Sequence, residues 1–269
     1  MYLDKIYATR YKRIKTLKKE VPLSHLQECV SSGIMKREKK RSFKEALLQP
    51  GISIIGEIKK ASPSKGILNE NLNPIQVAYL YEKYGIRAIS ILTEPDYFLG
   101  DYDVLYEVSK VSKLPILNKD FIFDPWQIYK AKAIGADAIL LIATMLEKEI
   151  LKELYTLAYD LDMDVLLEVH DEEDLEKALA IDANIIGINN RSLRSFHVDI
   201  EATLRLSKHI PKDKLVVSES GIRNEEDLML LGSKKVDGVL IGESFVTAKD
   251  MEATIKDFVR VCRKDRAYL

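Results

Sequence analysis

The sequence predicts a single (β/α)8 (TIM) barrel with an N-terminal helical extension, and three observations lead to this fold class. The chain has 269 residues, close to the roughly 250 that one such barrel uses. Apolar residues make up 46% of it, enough for a large core. After residue 51, eight short apolar runs alternate with amphipathic segments at intervals of roughly 27 residues, which is typical of a parallel sheet covered by helices.

Residues 1–50 precede the barrel and are expected to form a basic helical extension packed on it, within one structural domain. The segment IYATRYKRIKTLKKEV has apolar residues at helical spacing, namely Ile6, Ile14, Leu17 and Val21. An arm that binds RNA is the alternative, but the segment lacks an aromatic platform for stacking bases. We therefore favour a capping helix here, and a second short helix within residues 36–51.

The eight apolar runs in residues 51–269 are the predicted barrel strands. They are ISIIGEI (52–58), RAISIL (87–92), LPILNK (114–119), DAILLI (137–142), DVLLEV (164–169), NIIGIN (184–189), KLVVSE (214–219) and DGVLIG (237–242). The segments between them have helical spacing, and Asp171 is a candidate N-cap with Asp174 three residues later. A doubly wound open sheet is the alternative, but no GxGxxG turn follows the first run.

Charged and amide side chains stand at the carboxyl ends of these runs. Alternation along the first strand directs Ser53, Ile55, Glu57 and Lys59 into the barrel, and Ile52, Ile54 and Ile58 towards the helices. Four other runs end in the same way, with Lys119, Glu168, Asn189 followed by Arg191, and Glu219. Barrel enzymes carry their active sites at this face. Structural ion pairs are the alternative, but burying so many ions costs several kcal/mol each, so we interpret the set as catalytic.

Two further segments predict a phosphate site. Ser220 and Gly221 follow the seventh run, and Gly242 and Glu243 follow the eighth. Glycines there let backbone N–H groups approach an anion, and the loops after strands seven and eight are the usual phosphate site of this fold. Because the Glu243 carboxylate would repel a phosphate, we expect its backbone N–H to face the ligand and its side chain to turn away.

Composition argues against several other classes. The 41 basic and 42 acidic residues nearly balance, which gives no reason to expect nucleic acid or a membrane as a partner. No stretch approaches the roughly 20 apolar residues of a membrane helix, and the charged N-terminus does not resemble a signal peptide, so we expect a cytoplasmic protein. The two cysteines are far apart and the four histidines are dispersed, so no metal site is predicted; we interpret His170 as a loop residue.

The motifs EIKKASPSKG, ILTEPDYFLGDY, LPILNKDFI, LLEVH, IGINNR, SESGI and VLIGESF resemble those of the indole-3-glycerol phosphate synthase family, in the family's order. The resemblance extends from about residue 50 to 245, and the N-terminal extension is similar as well. It implies conversion of 1-(2-carboxyphenylamino)-1-deoxyribulose 5-phosphate to indole-3-glycerol phosphate, with loss of carbon dioxide and water, in tryptophan synthesis. It implies no cofactor.

Residue chemistry and resemblance together assign expected roles. Lys119 suits the general acid that protonates the ketone oxygen during ring closure. Lys59 is expected to bind the substrate carboxylate, and Glu168 to act as the base in the final dehydration, with Lys59 or Lys119 as its acid. The resemblance implies orienting roles in catalysis for Glu57, Asn189 and Glu219. It implies substrate contacts for Ser62, Phe98, Phe121, Arg191, Ser220, Gly221, Gly242 and Glu243.

Two rival functions remain at this point. Phosphoribosylanthranilate isomerase shares the fold and a similar substrate, but it would require a cysteine near the end of the first strand, where this chain has Glu57 and Lys59. A non-enzymatic barrel that binds phosphorylated metabolites, or RNA through its basic segment, is the other. For the enzyme we expect a small phosphorylated substrate, with a tryptophan-pathway enzyme as a candidate partner; the oligomeric state is open, with a monomer favoured.

Overall fold

The computed structural model describes residues 2–33, 41–192 and 197–263. Its main feature is a closed barrel of eight parallel strands, in which each strand pairs with its neighbours along the chain and the first pairs with the last. The strands are β1 (Ser53–Ile58), β2 (Ala88–Leu92), β3 (Ile116–Lys119), β4 (Ala138–Ile142), β5 (Asp164–Val169), β6 (Ile185–Asn189), β7 (Leu215–Glu219) and β8 (Gly238–Ile241). Each lies within one of the eight predicted runs, so the predicted fold class is confirmed.

Helices precede the barrel and cover its outside. They are α1 (Tyr2–Glu20), α2 (Leu23–Ser31), α3 (Phe43–Leu47), α4 (Pro74–Tyr84), α5 (Tyr102–Val111), α6 (Pro125–Ala133), α7 (Lys148–Asp160), α8 (Glu172–Ala180), α9 (Glu201–Leu206), α10 (Glu225–Gly232), α11 (Glu243–Val246) and α12 (Met251–Cys262). As predicted, Asp171 caps α8 by accepting from Asp174 N. The short helix expected within residues 36–51 is α3, while residues 36–40 lie outside the described part.

Inward-facing side chains fill the barrel in layers that alternate strands contribute. One apolar layer comes from the odd-numbered strands and consists of Ile55, Leu117, Leu166 and Val217. The next layer towards the carboxyl ends comes from the even-numbered strands and consists of Ser90, Leu140, Gly187 and Leu240. The layer above it returns to the odd-numbered strands with Glu57, Lys119, Glu168 and Glu219. The side chains on the other faces, such as Ile52, Ile54 and Ile58, pack under the helices, as predicted.

The first helix lies over the carboxyl ends of the strands. Leu3 and Ile6 of α1 are buried in the same apolar cluster as the barrel interior. Arg10, one turn further, is only 1% exposed and forms a buried ion pair with Asp120, the residue after β3. Ile14 packs with Leu26 of α2 and with Trp126 of α6. The helical extension therefore contacts the face of the barrel where the predicted site lies.

The turn after β1 forms a small hairpin. Its two-residue strands, Ala61–Ser62 and Gly66–Ile67, pair antiparallel around the Pro-Ser-Lys sequence. Gly66 has a φ of +67°, which glycine adopts without steric penalty. The hairpin stands at the barrel mouth next to Glu243, which Lys65 contacts. Across the described residues, no helix is both long and apolar enough to cross a membrane.

Candidate active site

A cavity of about 310 Å³ opens at the carboxyl ends of the strands. The top layer of the barrel forms its floor, the loops after the strands form its walls, and Leu3 and Ile6 of α1 contribute to its rim. All fourteen residues predicted for the site line this one cavity: Glu57, Lys59, Ser62, Phe98, Lys119, Phe121, Glu168, Asn189, Arg191, Glu219, Ser220, Gly221, Gly242 and Glu243. The structure places these residues together at one face of the barrel. Their roles remain predictions.

Lys119 is the centre of the top layer. Its ammonium Nζ lies 2.7 Å from Glu219 Oε2 and 3.4 Å from Glu168 Oε2. Glu57, the fourth member of the layer, pairs instead with Lys59, whose Nζ is 2.5 Å from Glu57 Oε2. The carboxylates are almost fully buried, whereas the two lysine side chains are about 15% exposed towards the cavity. Both lysines therefore line the cavity while buried carboxylates pair with their ammonium groups.

The layer perturbs the proton affinities of its members. Burial alone lowers the pKa of Lys119, but the charges of Glu219, Glu168 and Glu57 outweigh it and hold that pKa well above its usual value. Burial raises the pKa of Glu219 to about 7, with Glu168 and Glu57 adding to the shift against the opposing effect of Lys119. For Glu168, burial is outweighed by Lys119, His170 and a hydrogen bond from Asn189, so its pKa is lowered.

Charge counting explains why one carboxylate titrates near neutral pH. Among the described residues, Glu57, Glu168 and Glu219 pair with two ammonium groups, those of Lys59 and Lys119, while His170 contacts Glu168 alone. Like charges that share a buried site raise the pKa of one member. Glu219 is that member, although it lies closest to Lys119. Glu168 is equally buried but gains His170 and a hydrogen bond from Asn189, whereas Glu219 Oε1 is buried without a hydrogen-bond partner among the described residues. This oxygen points into the barrel, towards Gly187 of the layer below.

The part of the cavity formed by the loops after β7 and β8 has the features of an anion site. Ser220 and Gly221 follow β7 with φ values of +65° and +81°, a left-handed turn that directs consecutive backbone groups to one side. Gly242 is the N-cap residue of α11, and a Cβ there would collide with Glu57 Oε2. Both glycines are therefore required by local geometry, Gly221 for its φ and Gly242 for the close approach of the Glu57 side chain.

Glu243 lies at the rim of this end. Its Oε1 is 2.5 Å from Lys65 Nζ and its Oε2 is 3.8 Å from an Arg191 guanidinium nitrogen. Arg191 also donates to Ser64 Oγ at 3.3 Å, so the hairpin after β1 and the loop after β6 meet over the cavity. Lys65 and Arg191 therefore fix the position of the Glu243 carboxylate. That this side chain turns away from a bound phosphate stays a prediction.

Two aromatic rings form the apolar wall. The centroids of Phe98 and Phe121 are 6.0 Å apart at an interplanar angle of 39°. The Glu94 carboxylate fixes the Phe98 loop by accepting from three backbone N–H groups, including that of Phe98 at 3.1 Å. Asp120, paired with Arg10, accepts from Phe121 N at 2.8 Å. Buried carboxylates therefore hold both loops in place.

Sequence reasoning missed several residues of the site and its surroundings. The cavity is also lined by Leu3 and Ile6 of α1 and by Asp120, Arg223 and Ser244. His170 follows β5 directly, as predicted, and does not line the cavity, yet its ring is 3.3 Å from Glu168. A pattern signal existed for Ile6, on the apolar face of α1, and the motifs LPILNKDFI and VLIGESF contain Asp120 and Ser244. In the part of the chain that the structure describes, no three His, Cys, Asp or Glu side chains are grouped to hold a metal ion.

Comparison with known proteins adds independent findings. The sequence model of a family described as indole-3-glycerol phosphate synthase matches residues 3–258. An indole-3-glycerol phosphate synthase of Thermoanaerobacter pseudethanolicus is 46% identical over 260 residues, which covers 97% of this chain and 98% of that protein. Its counterpart in Acetivibrio thermocellus is 47% identical over 263 residues, covering 97% and 100%. Among solved structures, KGPDC from Streptococcus mutans superposes with a TM-score of 0.62 at 12% identity, covering 80% of this chain and 99% of that one, which shows the shared fold alone.

Proposed function

Because the chain belongs to the indole-3-glycerol phosphate synthase family, we propose how its cavity carries out the family's reaction. The protein is a carboxy-lyase of tryptophan biosynthesis. It converts 1-(2-carboxyphenylamino)-1-deoxyribulose 5-phosphate to indole-3-glycerol phosphate and releases carbon dioxide and water. The observation that carries the assignment of roles is the Lys119 ammonium, which two buried carboxylates hold at the floor of the cavity.

Substrate binding uses the two ends of the cavity. The phosphate lies against the backbone N–H groups around Ser220, Gly221 and Gly242, where the left-handed turn and the start of α11 meet. The anthranilate ring lies against Phe98 and Phe121. The substrate carboxylate faces Lys59. The Lys59 side chain is partly exposed to the cavity, and its ammonium pairs with Glu57. Ser62 Oγ, buried without a hydrogen-bond partner in the described chain, and Arg191 supply further polar contacts.

Ring closure depends on Lys119. The ring carbon that carries the carboxylate attacks the ketone carbon, and negative charge develops on the ketone oxygen. The ammonium of Lys119 donates a proton to that oxygen, and its raised pKa ensures that the proton is present throughout the neutral range. Glu219 orients Lys119 from 2.7 Å away. Loss of carbon dioxide then restores the aromatic ring.

Dehydration depends on Glu168. Its lowered pKa keeps it ionised at neutral pH, as a base requires, and Asn189 donates a hydrogen bond to it. Glu168 removes the carbon-bound proton while a lysine protonates the departing hydroxyl. Lys119, 3.4 Å from Glu168 Oε2, and Lys59 are the two candidates for that acid. Glu57 keeps Lys59 directed into the cavity.

The test is direct assay of the purified chain. We expect the carboxyphenylamino-deoxyribulose phosphate to be consumed and indole fluorescence to appear without added cofactor. The rival isomerase activity is tested in parallel with N-(5-phosphoribosyl)anthranilate. Turnover of the second substrate but not the first would contradict the proposal. Among the rivals, the isomerase is disfavoured by the Glu57 and Lys59 pair at the end of β1.

We propose further that the protein works as a monomer on this small-molecule substrate, without nucleic acid, in the cytoplasm. The substrate is a polyanionic phosphate ester that does not cross membranes, which supports a cytoplasmic location. Light scattering after size-exclusion chromatography tests the monomer, and the same experiment with other enzymes of the pathway added tests for a partner.

A further inference from the structure

His170 occupies a defined position behind the catalytic layer. It follows the last residue of β5, so its side chain lies on the same side of the strand as that of Glu168. Its side chain is only 11% exposed. His170 Nε2 is 3.3 Å from Glu168 Oε1, an ionic contact, and is buried with no hydrogen-bond partner among the described residues.

The other edge of the imidazole is held by two side chains. His170 Nδ1 is 3.1 Å from Thr144 Oγ1 and 3.5 Å from Asp174 Oδ2. Asp174, in the first turn of α8, also accepts hydrogen bonds from Thr144 Oγ1 and from the His170 backbone N–H, the latter at 3.1 Å. Three elements therefore fix the ring, which is more than a loop residue at this position needs.

The charges around His170 are mostly negative. Glu168 on β5, Asp174 on α8 and Glu219 on β7 face it, and Lys119 on β3 lies beyond Glu168. Burial lowers the pKa of His170, but the hydrogen bond to Asp174 and these three carboxylates outweigh burial and raise it. The imidazolium form is therefore favoured further into the neutral range than for a free histidine.

We propose that His170 is a positioning residue that fixes the carboxylate of Glu168, holding Oε1 so that Oε2 faces Lys119 and the cavity. This inference rests on the proposed role of Glu168 as the base of the dehydration. A base works from one orientation, and misplacement of about 1 Å is enough to lose about 10²-fold in rate. A cation at Oε1 also keeps Glu168 ionised, because a nearby opposite charge favours the charged form.

Two variants of His170 separate orientation from charge. His170→Ala removes both, and kcat should fall by roughly 10- to 100-fold. KM should stay within about twofold, because His170 does not line the cavity. His170→Gln keeps a neutral donor of similar reach and should recover part of kcat. In both variants the acidic limb of the kcat profile should move to higher pH by up to about one unit, because Glu168 loses a cation.

His209→Asn is the matched control, since His209 is exposed and lies after α9. Its kcat profile should overlie that of the parent. Asp174→Asn keeps an acceptor for Thr144 and removes only the charge that supports the imidazolium, so its acidic limb should move in the same direction by less. An unmoved limb in His170→Ala, or a change confined to KM, would overturn the proposal. Circular dichroism identifies any variant that is misfolded. If His170→Ala is misfolded, the shift of the acidic limb in Asp174→Asn decides whether the proposal stands.

An NMR titration tests the contact without using activity. The chain has four histidines, so the His170 signal is assigned by its absence from His170→Gln. Replacing Glu168 with Gln removes a facing negative charge, and the pKa of His170 should fall by about half a unit or more. An unchanged pKa contradicts the proposed contact. A fall together with a parent enzyme that shows no turnover would instead place the failure in the proposed function.

Discussion

Replacing Lys119 with methionine is the sharpest test of the catalytic role proposed for the top layer of the barrel, which consists of Glu57, Lys119, Glu168 and Glu219. Methionine keeps most of the side-chain volume and removes the ammonium. The substrate loses its proposed general acid and the cation beside the developing oxyanion, effects typically worth at least about 10²-fold together. We therefore expect kcat to fall by 10²-fold or more. KM should change much less, because Lys59 and the loops after β7 and β8 keep their contacts with the anionic ends.

The structure also sets the size of the stability change. At an effective dielectric constant of about 20, contacts of 2.7 Å to Glu219 and 3.4 Å to Glu168 correspond to gross attractions of about 6 and 5 kcal/mol. Desolvation of the ions offsets much of this, so the net loss is smaller. The carboxylates can also escape by taking up a proton. Protonating a group of ordinary pKa 4.5 at pH 7 costs about 3 kcal/mol, which limits the loss in the variant.

The sign of the pH dependence follows from Glu168. In the parent its pKa is lowered, so the stability it contributes is present above pH 4.5 and is lost as pH falls through the folded pKa. Without Lys119 its pKa rises above 4.5, and the variant instead loses stability as pH rises. The difference in unfolding free energy should thus be about 3 kcal/mol at pH 7 and below about 1 kcal/mol near pH 5.

The assay is steady-state indole fluorescence, with urea denaturation at both pH values. Lys152→Met is the matched control, because Lys152 is exposed on α7, and it should behave as the parent. Lys59→Met should differ from both by raising KM as well as lowering kcat. Turnover of Lys119→Met within about threefold of the parent would show that this lysine is only a structural partner of the carboxylates.

Three other perturbations address the rest of the site. Ser220→Asp adds a negative charge at a left-handed position that Asp tolerates, so KM should rise at least about tenfold with a smaller change in kcat. Because burial raises the pKa of Glu219 to about 7, kcat/KM should increase with pH through that value as Glu219 ionises and pairs with Lys119; Glu219→Gln should lose this inflection. Arg10→Met leaves the buried carboxylate of Asp120 unpaired and should lower the free energy of unfolding by about 3–5 kcal/mol, measured with urea.

Each of these has a control variant or an outcome that would contradict it. Ser220→Asn has the same backbone tolerance without the charge, and an equal KM for both variants would remove the phosphate from this loop. An inflection that persists in Glu219→Gln belongs to the substrate or another group. Arg13→Ala breaks a pair that is 45% and 27% exposed, so it should change stability by no more than about 0.5 kcal/mol. A loss of no more than about 0.5 kcal/mol for Arg10→Met as well would mean that the Arg10–Asp120 pair contributes little to stability.

The sequence was sufficient for the barrel and for the floor of the site because both depend on a period of two. Once Ile55 is assigned to the interior, Glu57 follows it there, and the same step leads from Leu117 to Lys119 and from Leu166 to Glu168. Eight parallel strands of this kind, joined by helices, are expected to close into a barrel. The layer of four residues from odd-numbered strands is therefore implied by local alternation, without any knowledge of contacts.

Contacts between distant segments were not predictable in this way. Arg10 lies between Ile6 and Ile14 at helical spacing, so a charged residue on the buried face of α1 is visible in the sequence. Its partner, Asp120, is 110 residues away, and no local pattern connects the two. His170 stands just before a helix cap, which predicts a loop residue, and it does lie in the loop between β5 and α8. Its side chain is nevertheless only 11% exposed, because Thr144 and Asp174 of α8 contact the ring.

Gly187 shows a second kind of limit. It occupies an inward position in β6, where an apolar side chain is the usual choice, and the sequence gives no reason for its small size. In the structure, a Cβ at this position would collide with Glu219 Oε1. Because Gly187 has no side chain, its layer leaves the space that the Glu219 carboxylate of the next layer occupies. Such complementarity is a property of two strands together, so it appears only when their register is known.

We expect the helical extension and the top layer of the barrel to act as one functional unit. A layer with three carboxylates and one lysine acts strongly on a substrate only where water is excluded, because charges interact more strongly in a medium of low dielectric constant. Leu3 and Ile6 cover part of the cavity rim, and Arg10 holds Asp120, which one peptide bond joins to Lys119. The same helix therefore both shields the cavity and fixes the backbone from which the central ammonium projects. A barrel without this helix would retain the residues of the floor but lose the surroundings that make their charges effective.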